Sequence, residues 1–153
     1  MKKRGIAFVT PEMAIHQSIP IYTGGLGYMG GSALRSAHRL GLPLVGITIL
    51  PQQGQYEQYI DSLGMKIRFN NWDYESVLEA TSINQTIYIC GSPVKYRVYV
   101  LPEDTFGNAP IYFITTNAEG NDNLSRSITL QLYGGTLASD ASSKRKIALS
   151  YVL

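Results

Sequence analysis

Leu44-Val45-Gly46-Ile47-Thr48-Ile49-Leu50 is a nearly continuous apolar run that Pro51 closes. A run of this length with so little polar alternation is typical of a strand that is covered on both faces in a parallel sheet. A second compact apolar run, Ile6-Ala7-Phe8-Val9, precedes it and stops at Thr10-Pro11. Because proline has no amide hydrogen to continue a ladder, we predict a buried first strand over residues 6–9.

The segment between these two runs predicts an amphipathic helix of about three turns that begins near Tyr28. Its predicted buried stripe consists of Met29, Ala33, Ala37 and Leu40. Basic residues lie toward the carboxyl end of the helix, where positive charge is favoured, and Gly41 followed by Pro43 is a typical helix stop. Strand, helix and strand together form a βαβ unit, which places the chain in the α/β class.

The rest of the chain is less regular. Residues 56–63 predict a short helix, while residues 86–90 and 96–101 predict two strands of a hairpin. Residues 111–115 follow Pro110 as a further strand, and a final helix is predicted over residues 142–153. The apolar pattern of that helix continues to the last residue, so we expect the architecture to be incomplete in this sequence.

Composition excludes several classes of function. The 153 residues suit one domain, and the net charge of +2 is spread out except at Lys2-Lys3-Arg4 and Lys144-Arg145-Lys146, which argues against nucleic acid as a partner. The apolar runs are too short for a secretory signal or a membrane span. Cys90 is the single cysteine, and no Cys/His spacing predicts a metal site, so we expect a cytoplasmic protein without metal.

A glycine motif, Gly25-Leu26-Gly27-Tyr28-Met29-Gly30, formally matches the dinucleotide fingerprint G-x-G-x-x-G. Its context argues against that use, because the preceding strand ends near Thr10 and the second strand is followed by Pro51-Gln52-Gln53 rather than by an acid. A glycine loop that enters a helix still offers backbone amides and partial positive charge to an anion, and we expect phosphate. The alternative is that these glycines only permit a tight turn.

Motifs along most of the chain resemble, in order, the amino-terminal region of the α-glucan phosphorylases, which act on glycogen, starch or maltodextrin. They are Thr10-Pro11-Glu12, His16-Gln17-Ser18, Pro20-Ile21-Tyr22-Thr23-Gly24-Gly25-Leu26-Gly27, Leu40-Gly41-Leu42-Pro43, Gln53-Gly54, Pro110-Ile111-Tyr112-Phe113, Gly120-Asn121 and Leu132-Tyr133-Gly134-Gly135. The resemblance implies an α/β fold: an incomplete Rossmann-like amino-terminal domain of a two-domain, GT-B type glycosyltransferase, with a β-hairpin insertion. Residues 1–153 would be part of that domain, with the catalytic and cofactor domain absent.

The resemblance implies phosphorolysis of an α-1,4-glucan by phosphate, which releases glucose 1-phosphate with the help of pyridoxal phosphate. The amides of Gly25 and Leu26 would stabilise the substrate phosphate, and Gly24 and Gly27 would permit its close approach. The list of expected phosphate-site residues is completed by Glu12 and His16. For Glu12 the alternative is an acid held by a neighbouring amide, and for His16 it is a local hydrogen-bonding group.

A gate loop over the site is implied at Tyr133, Gly134, Gly135 and Thr136, although Gly134-Gly135 alone is also consistent with a plain turn. Where the family pattern tends to have acids, this chain has Gln17, Ser32, Thr115, Asn117 and Thr136. The lysine that carries the cofactor in the family would lie far beyond Leu153, so we expect this chain alone to be inactive and to require a downstream fragment or a full-length homologue.

Three other functions remain open at this point. The first is a non-catalytic remnant that binds sugar phosphate or a full-length partner. The second is the amino-terminal domain of a glycogen or starch synthase, which shares the Gly-Gly-Leu-Gly loop but has a lysine two residues before the first glycine, where this chain has Tyr22. The third is an ordinary Rossmann-like binding domain whose similarity to the family is misleading.

Overall fold

The computed structural model describes residues 5–132 of the chain. The predicted helix over residues 142–153 and both basic triplets lie outside the described residues. The elements are β1 (Ile6–Val9), α1 (Gly25–Arg39), β2 (Leu44–Ile49), β3 (Gln53–Asp61), β4 (Gly64–Asn71), β5 (Glu79–Ile89), β6 (Ser92–Leu101), β7 (Ile111–Thr115) and α2 (Asn123–Arg126), with short 3-10 turns at Tyr74–Ser76 and Ser127–Thr129.

The main sheet has the strand order β1-β2-β7-β6-β5. Strands β1, β2 and β7 are parallel, whereas β6 is antiparallel to β7 and β5 is antiparallel to β6. Strands β3 and β4 form a separate two-stranded antiparallel sheet. The predicted βαβ unit is confirmed as β1-α1-β2, and the mixed α/β sheet is the partial Rossmann-like arrangement expected from the sequence.

Helix α1 turns a different face to the core from the one predicted. Its buried residues are Gly27, Gly30, Gly31, Leu34 and Ala37. Met29 and Leu40 of the predicted stripe are 61% and 71% exposed, so the stripe is wrong at these two positions, while Ala33 is half-buried and Ala37 is buried. The helix also begins at Gly25 rather than near Tyr28. A hydrophobic pattern cannot detect a buried face that is made largely of glycine.

The glycine face exists because the chain segment after β1 lies directly against the helix. The amide of Ala14 donates to the carbonyl oxygen of Gly27 at 2.8 Å. A Cβ atom on Gly30 would lie 2.8 Å from the carbonyl oxygen of Glu12, and one on Gly31 would overlap the carbonyl group of Ala14. Two stretches of backbone therefore approach more closely than any side chain would permit.

Two further predictions about the strands are wrong. Strand β1 is not buried, because Ile6 and Val9 are exposed and β1 is the last strand of the sheet on that side among the described residues. Residues 56–63 are not helical but belong to the β3–β4 hairpin, in which Ile60 faces Met65. Their cross-strand partners come from residues 64–71, for which no strand had been predicted.

The predicted hairpin at residues 86–101 is confirmed, and both of its strands are longer than expected. Its turn lies at Cys90 and Gly91, whose φ angles are 51° and 79°. Two consecutive positive φ angles are typical of the primed turns that match the twist of two-residue hairpins. The turn thus includes Cys90, which the sequence had placed at the end of the strand over residues 86–90.

Tyr99 on β6 is a buried aromatic residue in the main core and is 2% exposed. Its ring meets Tyr74 edge-on at 5.2 Å between centroids, and its hydroxyl donates to Oε1 of Glu75 at 3.2 Å. Burial, followed by the neighbouring Tyr74, raises the pKa of Tyr99 to about 12.

This pKa predicts a loss of stability at alkaline pH. An unfolded tyrosine ionises near pH 10, so the unfolded chain releases the Tyr99 proton first and folding stability falls as pH rises from about 10 to about 12. We expect Tyr99→Phe to flatten that decline, as measured by urea unfolding at about pH 8 and about pH 11. Tyr88→Phe is the matched control, because Tyr88 is exposed. Equal pH dependence in both variants would contradict the prediction.

Candidate functional site

The candidate site lies where the carboxyl ends of the parallel strands meet the start of α1. In open α/β sheets this edge is where ligands bind. The connection after β1 leads through Thr10 and Tyr22 to Gly24, which is the N-cap residue of α1. Gly24 provides no side-chain hydrogen bond to the helix, and the first turn contains no acidic residue. The amides of this turn therefore lie at a positive helix end that its own cap residue does not neutralise.

The glycine loop, defined here as Gly24-Gly25-Leu26-Gly27, has two kinds of glycine. Apart from the neighbouring residues in the chain and the backbone of α1 itself, a Cβ atom on Gly24 or on Gly25 would meet no described atom within 4 Å. Gly24 has an extended φ of −172°, which any residue can adopt. Neither packing nor backbone conformation explains glycine at these two positions. A Cβ on Gly27, in contrast, would overlap that of Tyr22. Gly24 and Gly25 thus leave open space beside the helix start, whereas the space beside Gly27 is filled by protein.

Glu12 is buried behind the glycine loop and is 3% exposed. Its Oε2 accepts a hydrogen bond from the amide of Thr23 at 2.8 Å, and its Oε1 accepts one from the Thr23 hydroxyl at 3.3 Å. The Thr10 hydroxyl donates to the Glu12 carbonyl oxygen at 3.2 Å. The structure thus places Glu12 as an acid held by a neighbouring amide, the alternative stated above, while its contact with substrate stays a prediction.

Thr23 is a residue of the candidate site that sequence reasoning did not single out. It immediately precedes the glycine loop, and its amide and hydroxyl both contact Glu12, eleven residues earlier in the chain. The sequence feature that could have indicated Thr23 is a hydroxyl side chain directly before a pair of glycines. Spacing alone does not reveal that such a residue binds a distant carboxylate, because the connection must first fold back on itself.

His16 is exposed and organises its own turn. Its Nδ1 lies 2.8 Å from the Ser18 hydroxyl oxygen and accepts a hydrogen bond from the Ser18 amide at 3.2 Å. The neutral ring therefore carries its proton on Nε2. The ring stacks on Phe106 with centroids 4.2 Å apart. These contacts fit the local role considered above, and a contact with phosphate stays a prediction.

The other polar side chains near the site hydrogen-bond to one another and hold neighbouring segments together. Thr115 is the last residue of β7 and Thr116 follows it, and the hydroxyls of both lie 3.1 Å from the buried hydroxyl of Thr129. Gln131 donates its side-chain amide to Oε1 of Gln53 at 2.6 Å, which joins the segment after α2 to the start of β3. The predicted gate loop at Tyr133, Gly134, Gly135 and Thr136 lies outside the described residues.

The described part of the chain holds neither a cluster of metal ligands nor a helix that could span a membrane. Between residues 5 and 132, His, Cys, Asp and Glu side chains form no group of three or more that would suit a metal ion. In the same range, neither helix has the length and the apolar character that crossing a membrane requires.

Structural comparison identifies the fold. The structure resembles the catalytic domain of starch synthase IV from Arabidopsis thaliana, solved with ADP and acarbose, with a TM-score of 0.55 and 17% sequence identity. The match covers 97% of this chain and 25% of that one. At this identity the likeness concerns the fold alone, which is that of part of a Rossmann-like domain from a GT-B type glycosyltransferase.

Sequence comparison identifies the family. No protein-family model matches the chain. It is 43% identical over 128 residues to an uncharacterized protein of Methanocaldococcus jannaschii, covering 83% of this chain and 24% of that protein. It is 30% identical over 143 residues to the glycogen phosphorylase of Aquifex aeolicus, covering 86% of this chain and 20% of the enzyme. The chain is thus a relative of the α-glucan phosphorylases, as its motifs predicted, and spans about a fifth to a quarter of the relatives it matches.

Proposed function

We propose that residues 1–153 form part of the amino-terminal domain of an α-1,4-glucan phosphorylase and hold the substrate phosphate of that enzyme. The observation that carries the proposal is the open space beside Gly24 and Gly25 at the start of α1, where packing does not require glycine. Sequence similarity to glycogen phosphorylase over 86% of the chain supports the choice of reaction. A glycogen or starch synthase would have a lysine where this chain has Tyr22, which argues against a synthase.

In the proposed reaction, an oxygen of hydrogen phosphate bonds to the anomeric carbon of the terminal glucosyl unit while the bond from that carbon to the glucan oxygen breaks. The proton of the hydrogen phosphate passes to the glucan oxygen, so the shortened glucan leaves as an alcohol. This chain would bind and orient the phosphate through the amides of Gly25 and Leu26. Backbone donors of this kind are fixed before the reaction, so they stabilise charge without reorganising. The α-1,4-glucan and glucose 1-phosphate would be the other ligands of the assembled enzyme.

Pyridoxal phosphate is implied by the family, in which its phosphate assists the attack. The lysines in the described range are Lys66 and Lys95. Lys66 on β4 is half-buried and Lys95 on β6 is exposed, so neither is enclosed as a covalently held cofactor requires. The described residues do not fit this cofactor, so its place would be in the remainder of the enzyme, supplied by a downstream fragment or a full-length homologue.

The first test is a phosphate titration followed by backbone amide NMR. We expect the largest shift changes at Gly25 and Leu26, because their amides would meet the anion, and a saturable response with glucose 1-phosphate at the same signals. The amide of Gly91, in the β5–β6 turn, is the internal control. Unchanged Gly25 and Leu26 signals at saturating phosphate would remove the assigned site.

A non-catalytic sugar-phosphate-binding protein is the second candidate. It is favoured by Thr115, which stands where the family tends to have an acid and is 1% exposed with its hydroxyl bonded to Thr129. Co-expression with a downstream fragment that carries the cofactor lysine separates the two candidates. Release of glucose 1-phosphate from glucan and phosphate would support the phosphorylase, and its absence from a stable complex would favour the binding protein.

A further inference from the structure

We propose that Tyr28 is a sugar-binding residue, whose ring contacts the glucosyl unit of a sugar phosphate while the glycine loop holds the phosphate group. The inference rests on the proposed function, since it assumes that the glycine loop binds phosphate. It adds a contact to the sugar, whereas the backbone amides of the loop recognise only the anion.

Tyr28 lies on the same side of α1 as the open space beside the glycine loop. It follows Gly25 by three residues and Gly24 by four, and its amide donates to the carbonyl oxygen of Gly24 at 3.3 Å. Residues three and four apart lie one above the other on a helix, and their Cα–Cβ bonds tilt toward the amino end. The side chain of Tyr28 therefore leans over the first turn, where Gly24 and Gly25 have no side chain.

The Tyr28 side chain borders this space without filling it. None of its atoms lies within 4 Å of the position that a Cβ of Gly24 or Gly25 would occupy. Cβ positions one helical turn apart are separated by about 5–6 Å, which is comparable to the size of one hexose unit. A phosphate on the amides of Gly25 and Leu26 can therefore carry a sugar that lies against the Tyr28 ring.

Contact with Tyr22 restricts the motion of the Tyr28 ring. The two rings are inclined at 66° with centroids 5.4 Å apart, an edge-to-face arrangement that aromatic pairs prefer. Tyr22 is half-buried and packs against α1, since a Cβ on Gly27 would overlap that of Tyr22. Tyr28 nevertheless remains 61% exposed. A ring that is restrained and still exposed suits a ligand, because little side-chain freedom is lost on binding.

The chemistry of a glucosyl unit fits such a ring. The C–H groups of a pyranose form an apolar face with a slight positive charge, which the negative face of an aromatic ring attracts. The tyrosine hydroxyl can also donate to or accept from a sugar hydroxyl. Met29, four residues after Gly25 and 61% exposed, extends the apolar surface on the same side of the helix. Inorganic phosphate offers none of these groups, so Tyr28 distinguishes a sugar phosphate from phosphate alone.

Substitutions at Tyr28 test the inference by comparing two ligands. We expect Tyr28→Ala to weaken the binding of glucose 1-phosphate roughly fivefold and to leave the affinity for inorganic phosphate unchanged. Tyr28→Phe keeps the ring and should stay within about twofold of the wild type for both ligands. Affinities are measured from the Gly25 and Leu26 amide shifts. Tyr88→Ala is the matched control, because Tyr88 is exposed on β5 and should leave both affinities unchanged.

Tyr28→Ala is expected to fold, because the position is exposed and alanine favours helix. Should it not fold, Tyr28→Leu replaces it, since leucine also lacks the ring. A selective loss for the sugar phosphate is a result that a merely structural residue would not produce.

Three results would overturn the inference. The first is an unchanged affinity of Tyr28→Ala for glucose 1-phosphate. The second is an equal loss for both ligands, which would show that Tyr28 shapes the loop without contacting the sugar. The third is a loss in Tyr28→Phe as large as that in Tyr28→Ala, which would exclude the ring as the contact. Each leaves the proposed function standing, provided that the wild-type Gly25 and Leu26 signals respond to phosphate; unresponsive signals would instead overturn the proposed function itself.

Discussion

Gly31→Ala is expected to destabilise the folded protein by about 2–3 kcal/mol, even though alanine is the better helix former. The added methyl group would overlap the carbonyl group of Ala14 and approach its amide nitrogen. The methyl group would collide with the backbone of Ala14, which cannot rotate away as a side chain can. Either the segment that carries Glu12 or helix α1 must then move, and the hydrogen bond from Ala14 to Gly27 would be strained.

The measurement for Gly31→Ala is urea unfolding followed by circular dichroism, with Ser32→Ala as the control. Ser32 is the next residue on α1 and is exposed, so its substitution changes helix propensity without touching the Ala14 segment. We expect Ser32→Ala to be neutral or slightly stabilising. If Gly31→Ala were as stable as Ser32→Ala, the close approach of the two backbones would be contradicted.

Gly25→Ala, unlike Gly31→Ala, is expected to weaken phosphate binding and not folding. Its folding stability should be unchanged or raised by up to about 1 kcal/mol. No described atom lies within 4 Å of the position that its Cβ would occupy. The same methyl group would stand in the space from which phosphate reaches the amides. We therefore expect phosphate affinity to fall by more than about tenfold, the loss that follows when an anion can no longer approach its backbone donors.

For Gly25→Ala, thermal unfolding and the amide titration are measured on the same sample. Ser36→Ala, on an exposed position near the other end of α1, should leave both stability and phosphate affinity close to wild type. A variant that folds normally and binds phosphate as well as the wild type would show that the open space beside Gly25 is not used by the ligand.

The predictions from sequence succeeded where the signal was local. The apolar run at residues 44–50 predicted a parallel strand, and the hairpin at residues 86–101 was recognised from its two strand patterns. The β3–β4 hairpin was missed because strand pairing depends on a partner elsewhere in the chain. The stripe on α1 was assigned to Met29 and Leu40 because hydrophobicity reports apolar side chains, whereas the buried face of this helix carries glycines.

The sequence by itself determined the family, because so many short motifs do not occur in the same order by chance. It also determined that the glycine loop enters a helix. Only the tertiary structure decided what each glycine does. Within residues 5–132, Gly24 and Gly25 face open space, while Gly27, Gly30 and Gly31 face the returning chain. The same residue type serves both purposes because the absence of a Cβ atom admits either a ligand or a neighbouring backbone, and only the fold decides which of the two lies there.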